Sequence, residues 1–349
     1  RSSDLKGFED ALRIGYQARP RLFDQRIVLP EQLYDRVVEV EERIGAHGEV
    51  HQDLDIEAAR VNLQAAYDDG YRSAAIVFRH AYRYPAHERA VADVAREIGF
   101  DQVSTGFETS PLMKLVGRGD TTVVDAYLSP ILRRYVNRVA AELGDANLMF
   151  MQSNGGLVDA SLFQGKDAIL SGPAGGIVGA VQVGKDAGFE KLITFDMGGT
   201  STDVAHFEGE YERAFETLVA GVRMRAPMMQ IHTVAAGGGS MCFFDGARYR
   251  VGPESAGANP GPASYRRGGP LCVTDCNVIL GKLQPDYFPA VFGAGQDEAL
   301  DVAAVLEKFT AMAGQIKAST GDDRTPVEVA DGFLKIAVEN MANAIKKIS

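Results

Sequence analysis

Two aspartates flank a glycine turn in the segment from Ile193 to Val204, a combination that can handle a phosphate group and a metal ion. Asp196 ends a short, mainly apolar strand, and Asp203 follows the turn. Mg²⁺ prefers oxygen ligands and, next to phosphates, is usually held by one or two carboxylates together with waters. We therefore predict that Asp196 and Asp203 hold Mg²⁺ beside a phosphate group, as a nucleotide hydrolase or kinase requires.

The turn between the two aspartates is suited to binding the phosphate itself. Gly198 and Gly199 lack a Cβ, so their backbone N–H groups can approach an anion closely. Three hydroxyl donors follow them: Thr200, Ser201 and Thr202. The same pattern also fits a tight β-hairpin turn, in which glycines supply positive φ and hydroxyls cap locally. The sequence favours a phosphate loop and leaves the hairpin turn as an alternative.

A second glycine cluster follows the predicted strand 229–234 and consists of Gly237, Gly238, Gly239 and Ser240. Successive glycines at a strand end predict that another backbone or a ligand comes within contact distance. We assign this cluster to nucleotide or substrate binding. His232 lies in the preceding strand and is a candidate catalytic residue, although a lone histidine in a strand is more often a hydrogen-bonded core residue.

Glu254 is the only charged side chain in the rigid loop from Gly252 to Pro262, which we place beside the site. It is a candidate catalytic carboxylate, with a capping role as the alternative. Residues 171–176 precede a predicted helix over 177–187, and such a helix start attracts anions. Simple capping by small residues explains that segment equally well.

Composition limits the class of protein. The 349 residues carry a formal net charge of −11, which argues against nucleic acid or an anionic membrane surface as the main partner. Three cysteines without paired spacing support neither a disulfide framework nor a zinc site, and this favours a cytoplasmic setting. No apolar run approaches the length of a membrane span, and the absence of Gly-x-x-x-x-Gly-Lys-[Ser/Thr] excludes a P-loop enzyme.

The patterns predict an α/β protein of two domains. Residues 1–145 alternate between strands, such as 74–78, and helices, predicted over 8–16, 56–69, 87–98 and 121–143. Residues 146–349 consist of short strands joined by glycine-rich turns. The chain begins without Met and closes inside the helical pattern 329–349, so we expect it to be a piece of a longer protein.

Four motifs, in order, resemble the hydantoinase A/oxoprolinase family: MQSNGG (151–156), SGPAGG (171–176), FDMGGTSTDV (195–204) and HTVAAGGGS (232–240). Residues 15–24 and 251–262 also resemble the family, so the resemblance covers nearly the whole chain. Residues 110–120 and 223–229 look closer to the ATP-dependent 5-oxoprolinase branch than to the hydantoinase A or acetone carboxylase branches.

The resemblance implies an actin-like, Hsp70-like ATPase fold of mixed sheets flanked by helices, which closes over ATP and Mg²⁺, with K⁺ as a further cofactor. The family's first phosphate loop, near its true N-terminus, and its later Phe-Gly-Gly-Ala-Gly segment have no match here. Both absences imply a fragment incomplete at both ends, which we expect to be inactive alone.

The implied reaction opens a cyclic amide: 5-oxo-L-proline, ATP and water give L-glutamate, ADP and phosphate after phosphorylation of the amide oxygen. The alternatives are an ATP-dependent hydantoinase or an acetone carboxylase subunit and, from another class, a non-catalytic actin-like scaffold that binds nucleotide. The resemblance also implies a hydantoinase B-like domain or subunit as partner and a homo-oligomer in the full enzyme.

Overall fold

The computed structural model describes residues 23, 25, 33–144, 146–219 and 221–348, which form two compact units. The first unit comprises the described residues up to 175 together with residues 213–229. The second comprises residues 176–212 and those from 230 onward. The helix predicted over residues 8–16 lies outside the described residues, and the domain boundary at residue 145 stays a prediction.

Helices and short strands alternate along the described chain. In chain order the α-helices are α1 (Ile56–Asp68), α2 (Ala86–Ile98), α3 (Gly106–Thr109), α4 (Leu115–Leu143), α5 (Gly165–Ala168), α6 (Ser171–Asp186), α7 (Val273–Ile279), α8 (Val302–Thr320) and α9 (Pro326–Ile345). The strands are β1 (Arg43–Ile44), β2 (Val50–Gln52), β3 (Ser73–Ile76), β4 (Gln102–Thr105), β5 (Met149–Met151), β6 (Leu157–Asp159), β7 (Lys191–Met197), β8 (Thr202–Glu208), β9 (Arg213–Ala214), β10 (Thr217–Val219), β11 (Val222–Met224), β12 (Met228–Met229), β13 (His232–Val234), β14 (Ser240–Phe244) and β15 (Tyr249–Ser255).

A parallel pair of strands, β3 and β4, lies at the centre of the first unit. Helix α2 connects the two strands, as the predicted βα alternation requires. Helix α1 begins where the Asp55 side chain accepts a hydrogen bond of 2.9 Å from the N–H of Ala58. It buries Ala59 and Leu63 on one face, four residues apart, in a core shared with α2.

The long helix α4 packs against β3 and β4 and holds the returning segment 213–229 in the first unit. Val124 of α4 forms a buried cluster with Met224, Ala226 and Met228. Burying side chains of this size stabilises such an interface by about 1.5–3 kcal/mol each. This packing explains why residues far along the chain belong to the first unit.

The second unit contains an antiparallel sheet in the order β13–β8–β7 and a separate hairpin, β14–β15. Helix α9 packs against α7, α8, β8, β13 and β15, and its Phe333 is completely buried. The start of α9 is fixed by a capping box, in which Thr325 and Glu328 satisfy each other's backbone N–H groups. Helix α9 thereby supports two of the three strands of the sheet that carries the predicted phosphate loop.

The predicted mixture of helices and short strands is confirmed, and the sheets of the described residues contain only two or three strands each. Two helices begin earlier than predicted: α4 at Leu115 and α6 at Ser171. Among the described helices, none combines the length and the apolar character needed to cross a membrane.

Candidate functional site

The two predicted metal-binding aspartates lie directly opposite each other on β7 and β8. Asp196 pairs with Asp203, and Met197 pairs with Thr202, so that only residues 198–201 form the turn. Directly opposed residues of antiparallel strands project from the same face with Cβ atoms about 5 Å apart. The hairpin therefore presents both carboxylates on one face, immediately before and after the turn.

The turn is closed by one backbone hydrogen bond, from the N–H of Gly198 to the carbonyl of Ser201, at 2.8 Å. The segment is thus a hairpin, as the alternative predicts, but neither Gly198 nor Gly199 has the positive φ that the alternative assigns to them. The hairpin is compatible with anion binding. Among the described residues, the N–H groups of Gly199, Thr200 and Ser201 have no hydrogen-bond partner. Gly199 and Thr200 are exposed and Ser201 is half-buried, so these N–H groups are the turn's available donors for an anion.

The neighbouring strand holds one of the two carboxylates in place. Thr233 of β13 pairs with Asp203, and its hydroxyl donates a hydrogen bond of 2.6 Å to Asp203 Oδ1. The other carboxylate oxygen of Asp203 keeps its lone pairs for a cation or its waters. Sequence reasoning did not identify Thr233, because its role follows from the pairing register of β13 and β8.

The second glycine cluster lies against the first. Gly238 and Gly239 donate backbone hydrogen bonds to the carbonyls of Gly198 and Gly199, at 3.1 and 2.7 Å. A Cβ on Gly237 would lie 2.7 Å from the Gly198 carbonyl oxygen, which is closer than real Cβ contacts. Another backbone therefore comes within contact distance of these glycines, one of the two options that the sequence left open.

Two of the predicted hydroxyl ligands form hydrogen bonds within the protein. The buried Thr202 hydroxyl donates to the Ala236 carbonyl at 2.6 Å, and the buried Ser240 hydroxyl accepts from the N–H of Gly237 at 2.9 Å. Both bonds stabilise the junction between the two glycine segments. Direct ligand contacts of these two side chains stay predictions.

The glycine cluster is anchored in turn by helix α7, through residues that sequence reasoning missed. The Gly238 carbonyl accepts from both the N–H and the hydroxyl of Thr274, at 2.8 and 2.9 Å. The next residue, Asp275, is completely buried and accepts backbone hydrogen bonds of 2.9–3.0 Å from Ala263, Ser264 and Cys272. Burial raises the pKa of the Asp275 carboxyl, which these N–H groups partly offset.

The other two catalytic candidates are His232 and Glu254. His232 is half-buried and pairs with Val204, and neighbouring strand residues project from opposite faces, so His232 lies on the face away from Asp203. Glu254 is exposed on β15. Within the described part of the chain, neither side chain forms a hydrogen bond with the aspartate pair, and their catalytic roles stay predictions.

The two aspartates are the candidate ligands of a metal ion. The described residues contain no group of three or more His, Cys, Asp and Glu side chains that could hold one. Two opposed carboxylates are nonetheless the usual protein contribution to a Mg²⁺ site that is completed by phosphate oxygens and waters. Asp196 and Asp203 therefore fit Mg²⁺ bound together with a phosphate.

Comparison with known proteins points to one family. The family model described as "Hydantoinase/oxoprolinase" matches residues 118–349, and the model of its N-terminal region matches residues 4–99. The chain is 44% identical to 5-oxoprolinase 1 of Arabidopsis thaliana and 43% identical to 5-oxoprolinase of Saccharomyces cerevisiae, in each case over 99% of its length. It spans only 30% and 29% of the length of these relatives.

A solved structure, the ATP-dependent caprolactamase of Pseudomonas jessenii, superposes with a TM-score of 0.76 at 31% sequence identity. The match covers 99% of this chain and 50% of that chain. The likeness confirms the predicted mixed α/β architecture.

Proposed function

This chain belongs to the hydantoinase/oxoprolinase family, and on that premise we propose that it is part of an ATP-dependent cyclic-amide hydrolase that acts on 5-oxo-L-proline. The observation that carries the ATP-dependent chemistry is the hairpin in which Asp196 and Asp203 flank a turn with free N–H groups. The choice of substrate is supported by 44% identity with a 5-oxoprolinase over 99% of the chain.

On this proposal the turn binds a phosphate group of ATP. The N–H groups of Gly199, Thr200 and Ser201 would donate to phosphate oxygens, and Asp196 and Asp203 would hold Mg²⁺, with Thr233 orienting Asp203. Bound Mg²⁺ would neutralise charge on the phosphates during transfer. The actin-like closure over ATP and the use of K⁺ are carried by family membership alone.

The proposed chemistry makes an unreactive lactam labile. The γ-phosphoryl group moves from ATP to the amide oxygen, and ADP leaves. Water then adds to the activated carbon and the C–N bond breaks, so that the nitrogen takes a proton and an acyl phosphate remains. A second water releases phosphate and gives L-glutamate. Because phosphoryl transfer needs little covalent chemistry from the protein, the residues described here would act by positioning and charge stabilisation.

The partner and the setting are part of the same proposal. A hydantoinase B-like domain or subunit would work with this region, in a homo-oligomeric cytoplasmic enzyme. Membership of the family supports the partner, and the location and the oligomeric state stay predictions.

The test is phosphate release by the complete enzyme with Mg·ATP, measured with 5-oxoproline, hydantoin, caprolactam or acetone, while glutamate is followed in parallel. We expect glutamate to form in step with ATP consumption. If another compound stimulates ATP turnover and 5-oxoproline does not, that compound replaces 5-oxoproline as the proposed substrate. Nucleotide binding without turnover on any of them would favour the scaffold alternative.

A further inference from the structure

Two segments that are distant in sequence, residues 110–121 and 216–225, meet in the first unit. The Ser110 hydroxyl donates to the Arg225 carbonyl at 2.8 Å, and the N–H of Arg225 donates to the Thr121 hydroxyl at 2.8 Å. A Cβ on Gly117 would lie 2.5 Å from Arg225 Cδ, so the side chain passes directly over this glycine. The backbone and the stem of Arg225 are therefore fixed against the start of α4.

The Arg225 guanidinium is only partly satisfied. One of its terminal nitrogens donates to the Met113 carbonyl, whereas its Nε is buried without a hydrogen-bond partner. The nearest ion-pair oxygen, Oε2 of Glu216, lies 3.6 Å from Nε, beyond hydrogen-bond distance. The other oxygen of Glu216 lies 3.1 Å from a terminal nitrogen of Arg223. Glu216 thus forms its shorter ion pair with Arg223, and it lies beside Arg225 without a hydrogen bond to its Nε.

A second arginine adds to the same cluster. Arg118 is completely buried, its terminal nitrogens donate to the carbonyls of Leu112, Phe78 and Arg79, and its Nε also has no partner. Burial lowers its pKa, Glu88 opposes that shift, and the positive charge of Arg225 lowers it further. The described residues contain five buried side-chain N or O atoms without a partner, and two of these five are the Nε atoms of Arg118 and Arg225.

Buried donors without acceptors are unfavourable, and a concentration of them in a native structure calls for an explanation such as an absent ligand. The guanidinium edge that contains Nε is one of the two edges that bind a carboxylate with two parallel hydrogen bonds. The cluster also adjoins the exposed residues 111–114 and the start of the 29-residue helix α4, whose N-terminus favours anions. These features fit a small carboxylate as the ligand of the cluster.

We propose that Arg225, with Arg118 behind it, binds the carboxylate of the lactam substrate, and that Glu216 rests in this position until the substrate displaces it. The inference rests on the proposed function and makes it more specific. Among the lactams and ketones considered above, 5-oxoproline carries a carboxylate, whereas hydantoin, caprolactam and acetone do not. Residues 110–120 and 223–229, whose sequences look closest to the 5-oxoprolinase branch, would therefore determine substrate specificity.

The proposal predicts opposite effects for the two members of one ion pair. Arg225→Gln should raise the KM for 5-oxoproline roughly 10- to 100-fold, because a charged hydrogen bond to the substrate is lost. The KM of Arg225→Lys should lie between the values for Arg225→Gln and the wild type. An ammonium group keeps the positive charge but cannot donate two parallel hydrogen bonds to a carboxylate. Glu216→Gln should lower the KM roughly twofold to tenfold, because the competing anion is gone.

The experiment measures kcat/KM of the complete enzyme for 5-oxoproline and for 2-pyrrolidinone, the same lactam without the carboxylate, together with the KM for ATP. Arg225→Gln should remove most of the preference for 5-oxoproline and leave the KM for ATP within about twofold. Arg138→Gln is the matched control, because that arginine is 82% exposed and, among the described residues, forms its ion pair with Glu142 in the same helix.

The outcomes separate the two proposals. If the wild type forms no glutamate from 5-oxoproline, the proposed function fails and this inference fails with it. If the wild type is active but Arg225→Gln keeps the preference over 2-pyrrolidinone, the inference alone is overturned. The same holds if Glu216→Gln and Arg225→Gln both raise the KM, which is the result expected of a purely structural ion pair.

Discussion

Thr233 and Asp203 are joined across two strands by a hydrogen bond of 2.6 Å, in which the hydroxyl donates to a carboxylate oxygen. The bond fixes the orientation of one of the two aspartates that flank the phosphate turn. A side chain that orients a metal-binding carboxylate typically contributes 10- to 100-fold to metal affinity or activity when a metal is bound. On the proposed function Thr233 is therefore a positioning residue, and its replacement should change the dependence of ATP turnover on Mg²⁺.

We predict that Thr233→Val in the complete enzyme raises the Mg²⁺ concentration for half-maximal ATP turnover roughly tenfold. Valine keeps the shape of threonine and suits a strand, so the melting temperature should change little. Thr310→Val, on the exposed face of α8, provides the control. An unchanged Mg²⁺ dependence would remove Thr233 from this role.

Asp203→Asn should cut ATP turnover more severely than Thr233→Val, by at least roughly 100-fold, because a charged ligand is lost rather than its orientation. Asparagine can still accept the hydrogen bond from Thr233, so the fold should persist. The measurement is phosphate release at saturating Mg·ATP, with circular dichroism to verify folding. Turnover at the wild-type level would show that Asp203 holds no catalytic metal.

Gly239→Ala should destabilise the enzyme and reduce ATP turnover. The new Cβ would lie 2.8 Å from the Ser255 hydroxyl and 2.9 Å from the Gly199 carbonyl oxygen. Such overpacking typically costs about 1–3 kcal/mol. Gly314→Ala is the control, because that helical position has open space and alanine favours helix by roughly 0.5–1 kcal/mol. Melting temperatures that move in the same direction for both variants would contradict the close approach.

The Asp120 carboxyl should make the stability of the protein depend on pH. Burial raises the pKa of its carboxyl from 3.8 to about 6, against the opposing charge of Arg223. An acid whose folded-state pKa is raised is favoured when protonated, so its contribution to stability is fully present below pH 3.8 and is lost as the pH rises through 6. Asp120→Asn should therefore raise the melting temperature at pH 8, and this advantage should shrink at pH 5. A difference independent of pH would contradict the shift.

The hairpin that carries Asp196 and Asp203 was predictable because the whole of it lies within one short stretch of sequence. Residues 196–203 contain both aspartates, both glycines and the three hydroxyl side chains in one uninterrupted segment. The strand-turn-strand pattern indicates which of them belong to the strands and which to the turn. The close approach at Gly237 was also predictable, since only glycine tolerates it. The identity of the approaching segment was not, because the contact with Gly198 depends on how β8 and β13 pair.

The remaining features depend on contacts between distant residues. Arg225 meets Ser110 across 115 positions, and no local pattern announces such a pairing. The return of residues 213–229 to the first unit likewise follows from burial of Met224 and Met228 against α4. In a sequence, a single arginine cannot be distinguished from a solvated surface residue. The cluster of Arg118 and Arg225 could therefore be recognised only in the folded structure.

The two glycine segments are bound to each other by main-chain atoms, from Thr274 through Gly238 and Gly239 to Gly198 and Gly199. The loop thus owes its shape to peptide groups together with the hydroxyls of Thr202, Ser240 and Thr274. Gly237 and Gly239 therefore cannot carry a Cβ unless this backbone moves, whereas a Cβ on Gly199 would meet open space. On the proposed function, the same backbone frame would serve ATP-dependent enzymes that act on unrelated substrates.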